Sequence, residues 1–224
     1  MNAEWIVHEG GRDLLLFFNG WGMDRRLADF VQSEAQVWPD RDIVVLYDYR
    51  DLDLPGWLRD AMAGYRTVDL LAWSLGVWAA MNAGLQGIRR AVAINGTPFP
   101  VDAELGISPE IFRGTLENWS DVSRKRFERR MFNGCSSDRL DVVRSERSSE
   151  DQKEELRSIG SAVSRSAGSF APAWRFSKVV IGGQDLVFLP ENQRRAWQGV
   201  PVSEIAQMPH FPFFHMDGWQ EVPE

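Results

Sequence analysis

A short apolar run that halts at a serine and turns at once into a helix constrains this chain more than anything else in it. Residues 68–72 have the composition of a strand buried on both faces, as in a parallel sheet. From Leu75 the apolar residues follow helical spacing, through Val77, Trp78, Ala79, Ala80, Met81 and Ala83. Ser74 lies between the two elements, where the backbone must turn sharply and lift the hydroxyl above the sheet. Such a turn admits only small residues two places to either side, and Ala72 and Gly76 meet that demand as A-x-S-x-G. A serine here could simply cap the helix. A nucleophilic serine needs more: a base, an acid that orients it, and donors for a developing oxyanion.

The chain offers all of these in a consistent order. The apolar strand 14–18 runs into Asn19-Gly20-Trp21-Gly22, whose glycines allow close backbone approach. In a serine hydrolase built around a strand–serine–helix turn, one oxyanion amide follows the nucleophile and the other comes from a loop after an early strand. Leu75 and Trp21 occupy those places. The acid and base should follow later, each at the carboxyl end of a strand, in the order serine, acid, histidine. Asp185 follows the strand 178–181 and the Gly182-Gly183 pair, and His210 follows the strand 202–206. Asp102 and His215 are the other candidates for acid and base; order and spacing favour Asp185 and His210.

Strands and helices alternate through the first part of the chain, which points to an α/β fold with a mostly parallel sheet flanked by helices. Strands are expected at 4–8, 14–18, 43–47, 68–72 and 91–95, with helices at 24–37 and 55–63. Loop 47–51 is read as structural. Between 98 and 169 no strand is evident; helices are expected at 109–116, 119–132 and 150–164, with a polar loop over 136–151. The α/β pattern then resumes with strands 178–181 and 202–206 and a helix at 190–197. The expected organisation is a hydrolase core of residues 1–97 and 170–224 with a helical lid, 98–169, inserted after the sixth strand.

Bulk properties exclude several function classes. The net charge of −7 opposes general nucleic-acid binding. One cysteine, Cys135, excludes an intrachain disulfide and suits a reducing compartment. Three histidines without metal-ligand spacing argue against a metal site, and no cofactor motif is present. The longest apolar runs, such as 14–18, are too short to cross a bilayer, and residues 1–4 do not open a signal peptide, so a cytoplasmic location is expected. Ten tryptophans should wall a core or a pocket.

Several segments together resemble the BioG family of pimeloyl-acyl-carrier-protein methyl esterases: Asn19-Gly20-Trp21-Gly22, Ala72-Trp73-Ser74-Leu75-Gly76, Gly182-Gly183-Gln184-Asp185 with Pro190-Glu191-Asn192-Gln193 and Trp197, and His210-Phe211-Pro212-Phe213. The chain is similar, more distantly, to the BioH esterases, which place histidine where this loop has Asn19. The resemblance implies an α/β-hydrolase fold with a helical lid, a triad of Ser74, Asp185 and His210, and a role in biotin synthesis. There the methyl ester disguises a diacid as a fatty acyl chain, and its hydrolysis ends elongation. The expected partner is an acyl-carrier protein bearing a methyl-pimeloyl chain, and the chain itself is expected to be a monomer. Trp21, Trp73, Phe112, Trp119 or Phe132 would wall an apolar channel. Because carrier proteins are acidic, docking calls for a local basic patch. Arg124, Lys125, Arg126, Arg129 and Arg130 supply five positive charges within seven residues; the same run would also suit a solvated helix face. A general short-chain carboxylesterase or thioesterase would use the same triad, and a hydrolase-like binding protein would lack part of it.

Overall fold

The computed structural model describes residues 1–35, 41–133, 137–165 and 173–216. Seven strands form one sheet: β1 (Asn2–Val7), β2 (Asp13–Phe18), β3 (Arg41–Tyr47), β4 (Thr67–Trp73), β5 (Ile88–Ile94), β6 (Lys178–Gln184) and β7 (Val202–Pro209), in the spatial order β1-β3-β2-β4-β5-β6-β7. β1 runs antiparallel to β3, and every other neighbouring pair is parallel. The central strands are apolar without alternation because both faces are covered. Leu14, Leu16, Phe18, Leu70 and Ala72 enter the core on one face; Leu15, Phe17, Leu71 and Trp73 enter it on the other.

Helices cover both faces. α1 (Arg25–Glu34) is capped by Asp24, whose carboxylate accepts from the Arg26 amide, and buries Leu27, Ala28 and Val31. It starts one residue later than the spacing predicts, and the expected extension to Val37 lies outside the described residues. α2 (Gly56–Met62) and α3 (Leu75–Asn82) follow, and α3 is buried along most of its length.

Four helices separate β5 from β6: α4 (Pro109–Glu117), α5 (Asp121–Phe132), α6 (Ser137–Val143) and α7 (Ser149–Arg165). Two expectations are corrected here. Among the described residues five strands precede the insertion, so along this chain it follows the fifth strand and not the sixth. The segment expected as a loop over 136–151 contains α6, held by fully buried Val143 and half-buried Leu140 and by the Arg26 guanidinium donating to the Asp141 carbonyl. An apolar pair three residues apart in a charged segment is too weak a period to read from sequence. The core resumes with β6, α8 (Pro190–Ala196) and β7.

The connectivity decides where a site can form. β2 and β3 are neighbours, and the chain then crosses back over β2 to place β4 on its other side, so the winding direction reverses between β2 and β4. Loops at the carboxyl ends of those two strands diverge and leave a crevice. Phe18 pairs with Ala72, which sets the loop beginning at Asn19 beside Ser74. At the far side, Gln184 pairs with Pro209, so Asp185 and His210 leave adjacent strands together.

The opposite end of the sheet carries an acid-labile tie. The Asp13 carboxylate accepts from Arg66, and from the Thr67 hydroxyl at 2.7 Å. The Arg66 guanidinium holds its pKa down from 3.8 to about 2. A carboxyl lowered in the folded state stabilises the fold above its unfolded pKa, and that contribution is lost as pH falls through the folded value. Urea unfolding midpoints should drop between about pH 4 and pH 2, and Asp13→Asn should flatten the drop over that window.

Candidate active site

Ser74 sits on the turn from β4 into α3 with φ 59° and ψ −130°. A non-glycine residue in this region is strained, and surrounding contacts must hold it there. The Ser74 amide donates to the Ile94 carbonyl at 3.0 Å, and its carbonyl accepts from Val77 at 3.1 Å. Two glycines make room. A Cβ on Gly76 would lie 2.4 Å from the Asn19 carbonyl oxygen, and one on Gly96 would lie 2.3 Å from that of Ser74. Sequence spacing exposed the need at Gly76; the need at Gly96 arises across strands and left no local sign.

The three expected polar groups meet in one chain of hydrogen bonds. His210 Nε2 is 2.9 Å from Ser74 Oγ, and His210 Nδ1 is 2.9 Å from Asp185 Oδ2 and 3.0 Å from Oδ1. All three residues are buried. An Nδ1–H directed at a carboxylate leaves Nε2 as the acceptor facing the serine hydroxyl, the polarity needed for proton abstraction. Asp185 is itself fixed: Oδ1 accepts from the amides of Val187 and Phe188, and Oδ2 from Gln193 Nε2 at 3.0 Å. The competing candidates do other work. The Asp102 carboxylate accepts from the amides of Glu104 and Leu105 in a local turn, and exposed His215 lies in a turn after β7.

The loop after β2 faces this triad. The Gly20 amide donates to Asn19 Oδ1 at 2.9 Å and the Gly22 amide to Glu155 Oε2 at 3.1 Å. Between them, the Trp21 amide meets no protein acceptor among the described residues, and the same holds for Leu75 at the first turn of α3. Two unspent amides beside a serine–histidine pair are the arrangement that an oxyanion requires.

A cavity of about 130 Å³ opens over Ser74. Trp21, Trp73, Phe112, Phe127 and Leu156 supply apolar wall, and the exposed side chains of Ile111, Leu186 and Leu189 also line it. Of the expected wall residues, Trp119 and Phe132 do not line it. Trp119 packs on Trp21 at 4.5 Å, and Phe132 packs on Phe211 at 4.6 Å. Phe127 lies inside the basic run, where a single aromatic among five cations gives no sign in sequence of a cavity wall.

That basic run divides in two. Arg124 is a correction: its guanidinium is spent on Glu128 and on the carbonyls of Ser145 and Arg147, so it braces the insertion and presents nothing outward. Lys125, Arg126, Arg129 and Arg130 are exposed on α5. None of the four has an acidic partner among the described residues. Arg130 also lines the cavity and lies over the Phe127 ring.

A positioning residue unmarked in the sequence is Asn95, fully buried just after β5 with φ 46°. Its Nδ2 donates to the carbonyls of Pro209 and His210, and its Oδ1 accepts from the Gly182 amide at 2.7 Å. One side chain thus ties the strand that leads to Asp185 to the loop that carries His210. Glu155 on α7 is a second, fully buried and paired with Arg147 at 2.7 Å; burial pushes its carboxyl above the usual range. Among the described residues no cluster of three or more histidine, cysteine or acidic side chains is placed to hold a metal ion, and no helix is long and apolar enough to cross a membrane.

A family model described as "Pimeloyl-ACP methyl esterase BioG" matches residues 1–222. The chain belongs to the BioG family. The BioG protein of Haemophilus influenzae, a solved structure, superposes over the whole of both chains with a TM-score of 0.86 at 28% identity. A Bacteroides fragilis (strain 638R) protein named malonyl-[acyl-carrier protein] O-methyltransferase is 38% identical over 191 residues, which are 84% of this BioG chain and 37% of that protein. This chain therefore spans little more than a third of that relative's length. An esterase from Exiguobacterium antarcticum matches in fold alone, with a TM-score of 0.66 at 12% identity over 94% of this chain and 88% of its own. The fold is that of the α/β-hydrolases.

Asn95→Ala should loosen the His210 loop without touching Ser74. Turnover of a simple ester should fall about tenfold or more, as misplacement of catalytic groups by a fraction of an ångström does, while labelling of Ser74 by a fluorophosphonate becomes slower but still goes to completion.

Proposed function

We propose that this chain is a serine carboxylesterase that hydrolyses the methyl ester of pimeloyl-acyl-carrier protein, releasing methanol and the free pimeloyl acid still attached to its carrier, in biotin synthesis. The observation that carries this reading is the unbroken hydrogen-bond chain from Asp185 through His210 to Ser74 in a chain of the BioG family. A monomer working in the cytoplasm completes the proposal.

The chemistry is acyl transfer in two halves. His210, oriented by Asp185, takes the Ser74 proton as the oxygen attacks the ester carbonyl. The amides of Trp21 and Leu75 receive the oxyanion, a contribution worth roughly a hundredfold or more in rate per donor. His210 then protonates the departing methoxide, and methanol leaves. Water attacks the acyl-enzyme by the same route and leaves a carboxylate. An ionised carboxylate in an apolar cavity is costly, which favours release.

Selectivity rests on reach. The substrate also carries a thioester, an electrophile at least as reactive as the methyl ester. A narrow apolar cavity between the insertion, acting as a lid, and the core admits only the far end of the acyl chain. The carrier stays outside, against Lys125, Arg126, Arg129 and Arg130. The methyltransferase name of the Bacteroides relative belongs to a protein much longer than the matched segment. A nucleophile with a base and oxyanion donors suits removal of a methyl ester, the reverse in effect of capping a carboxylate by methylation.

Purified protein should release methanol from the carrier-linked methyl ester with the thioester intact, and Ser74→Ala should lose at least about a thousandfold of that activity. Cleavage at the thioester, with short esters hydrolysed equally well, would keep the triad and replace the carrier reading with a general carboxylesterase or thioesterase. Arg126→Glu with Arg129→Glu, three residues apart on one helix face, should raise KM for the carrier-linked substrate about tenfold and leave turnover of a short free ester unchanged. Equal loss on both substrates would remove the docking assignment.

A further inference from the structure

The loop that presents the Trp21 amide is not held by the core alone. Helix α7 of the insertion grips it from above at consecutive points. The Gln152 carbonyl accepts from the Trp21 indole at 2.8 Å, and Gln152 Nε2 donates to the Gly22 carbonyl at 2.8 Å. Glu155 Oε2 accepts from the Gly22 amide at 3.1 Å, and Glu155 Oε1 accepts from the Tyr49 amide at 3.0 Å. One carboxylate therefore joins the loop after β2, the loop after β3 and the insertion. Arg147, at the entry to α7, supplies the countercharge and also donates to the Met23 carbonyl at 3.3 Å.

Gly22 has φ +73°, and a Cβ there would meet the Gln152 amide at 3.1 Å. Backbone at this φ suits glycine, and contact with α7 selects one such conformation. The consequence falls on the residue before it. The Gly22 amide spent on Glu155 fixes the peptide plane after Trp21, and the plane before it, which carries the Trp21 N–H, is held by the Gly20 carbonyl accepting from the Met23 amide at 3.3 Å; among the described residues the Trp21 amide is left without a protein acceptor beside the cavity over Ser74. We propose that Glu155, assisted by Gln152, is a positioning residue of the oxyanion hole, acting from the insertion through the Gly22 amide to orient the Trp21 N–H. The proposal rests on the serine-esterase reading and deepens it.

It also divides the lid. Lifting α7 would strip a fully buried carboxylate of its donors, a costly step. α7 therefore stays seated while substrate enters past the exposed rim of Ile111, Leu186 and Leu189. α5 is seated with it, through Asp121 accepting from the Ser149 hydroxyl and the Met131 carbonyl accepting from the Phe211 amide, so α4 is the part left to adjust.

The test uses the full chain and a short p-nitrophenyl ester, so it does not depend on the carrier assignment. Glu155→Gln keeps the shape but can accept from only one of the two amides; Gln152→Ala removes the grip on the Gly22 carbonyl and serves if the first variant does not fold. Active sites are counted with a fluorophosphonate, and affinity is measured for an alkylboronic acid, whose tetrahedral serine adduct carries an oxygen in the oxyanion position. Orientation of the Trp21 amide predicts kcat per titrated site reduced by roughly 10- to 100-fold, boronate affinity reduced by a similar factor, and KM within about threefold of the parent. A lower melting temperature or yield, with kcat per site and boronate affinity unchanged, would overturn the proposal and leave Glu155 a structural brace. Absence of ester turnover in the parent protein would count against the esterase reading, and the boronate comparison would still decide the role of Glu155.

Discussion

The architecture turns on the backbone of Ser74. Its positive φ is unfavourable for any residue with a side chain, and it persists because strands and glycines on both sides leave the chain nowhere else to go. β5 accepts the Ser74 amide, and Gly96 clears its carbonyl. Gly76 lets α3 descend against the carbonyls of Phe18 and Asn19. The same crowding that holds the strain brings the loop after β2 into contact with the first turn of α3. The proposed nucleophile and its two candidate oxyanion donors are consequences of one packing constraint.

The rest of the site follows from where strands end. Parallel strands point their carboxyl ends the same way, so loops far apart in sequence share one rim. Asn95, just after β5, donates to the carbonyls of Pro209 and His210, and Trp73, at the end of β4, donates to that of His210. His210 is therefore positioned through its main chain from one side and through its ring by Asp185 from the other. A single carboxylate from the insertion then braces the opposite wall. The two walls of the cavity are held by different means, hydrogen bonds within the core on the histidine side and an ion-paired helix on the tryptophan side.

What sequence made legible was local or ordered. The strand–serine–helix turn is a change of period within ten residues, and Asp185 and His210 each follow a strand in a fixed order, so the three side chains that meet in one hydrogen-bond chain could be named as candidates together. The parallel sheet was legible for the same reason, since runs such as 14–18 are apolar on both faces. What was not legible depends on contacts across long separations. Asn95 looks like any polar residue closing a strand, and its partners lie 114 and 115 residues away. Glu155 sits in a charged helical segment where a solvated face is the ordinary outcome, and only the fold reveals it as fully buried beneath Gly22 and Tyr49. Arg124 errs in the opposite direction. It shares a basic run with four exposed neighbours, yet helix geometry turns it inward to the carbonyls of Ser145 and Arg147.

If Ser74 attacks the distal ester while the carrier waits outside the cavity, the covalent intermediate must still hold the carrier, and its mass decides the question. Rapid acid quench of the enzyme with pimeloyl-carrier methyl ester, followed by intact-mass analysis, distinguishes the two possible acyl-enzymes. The expected adduct at Ser74 retains the carrier through its thioester and has lost methanol. An adduct bearing a methyl-pimeloyl group with the carrier released would mean that the thioester reached Ser74, and would contradict attack at the distal ester.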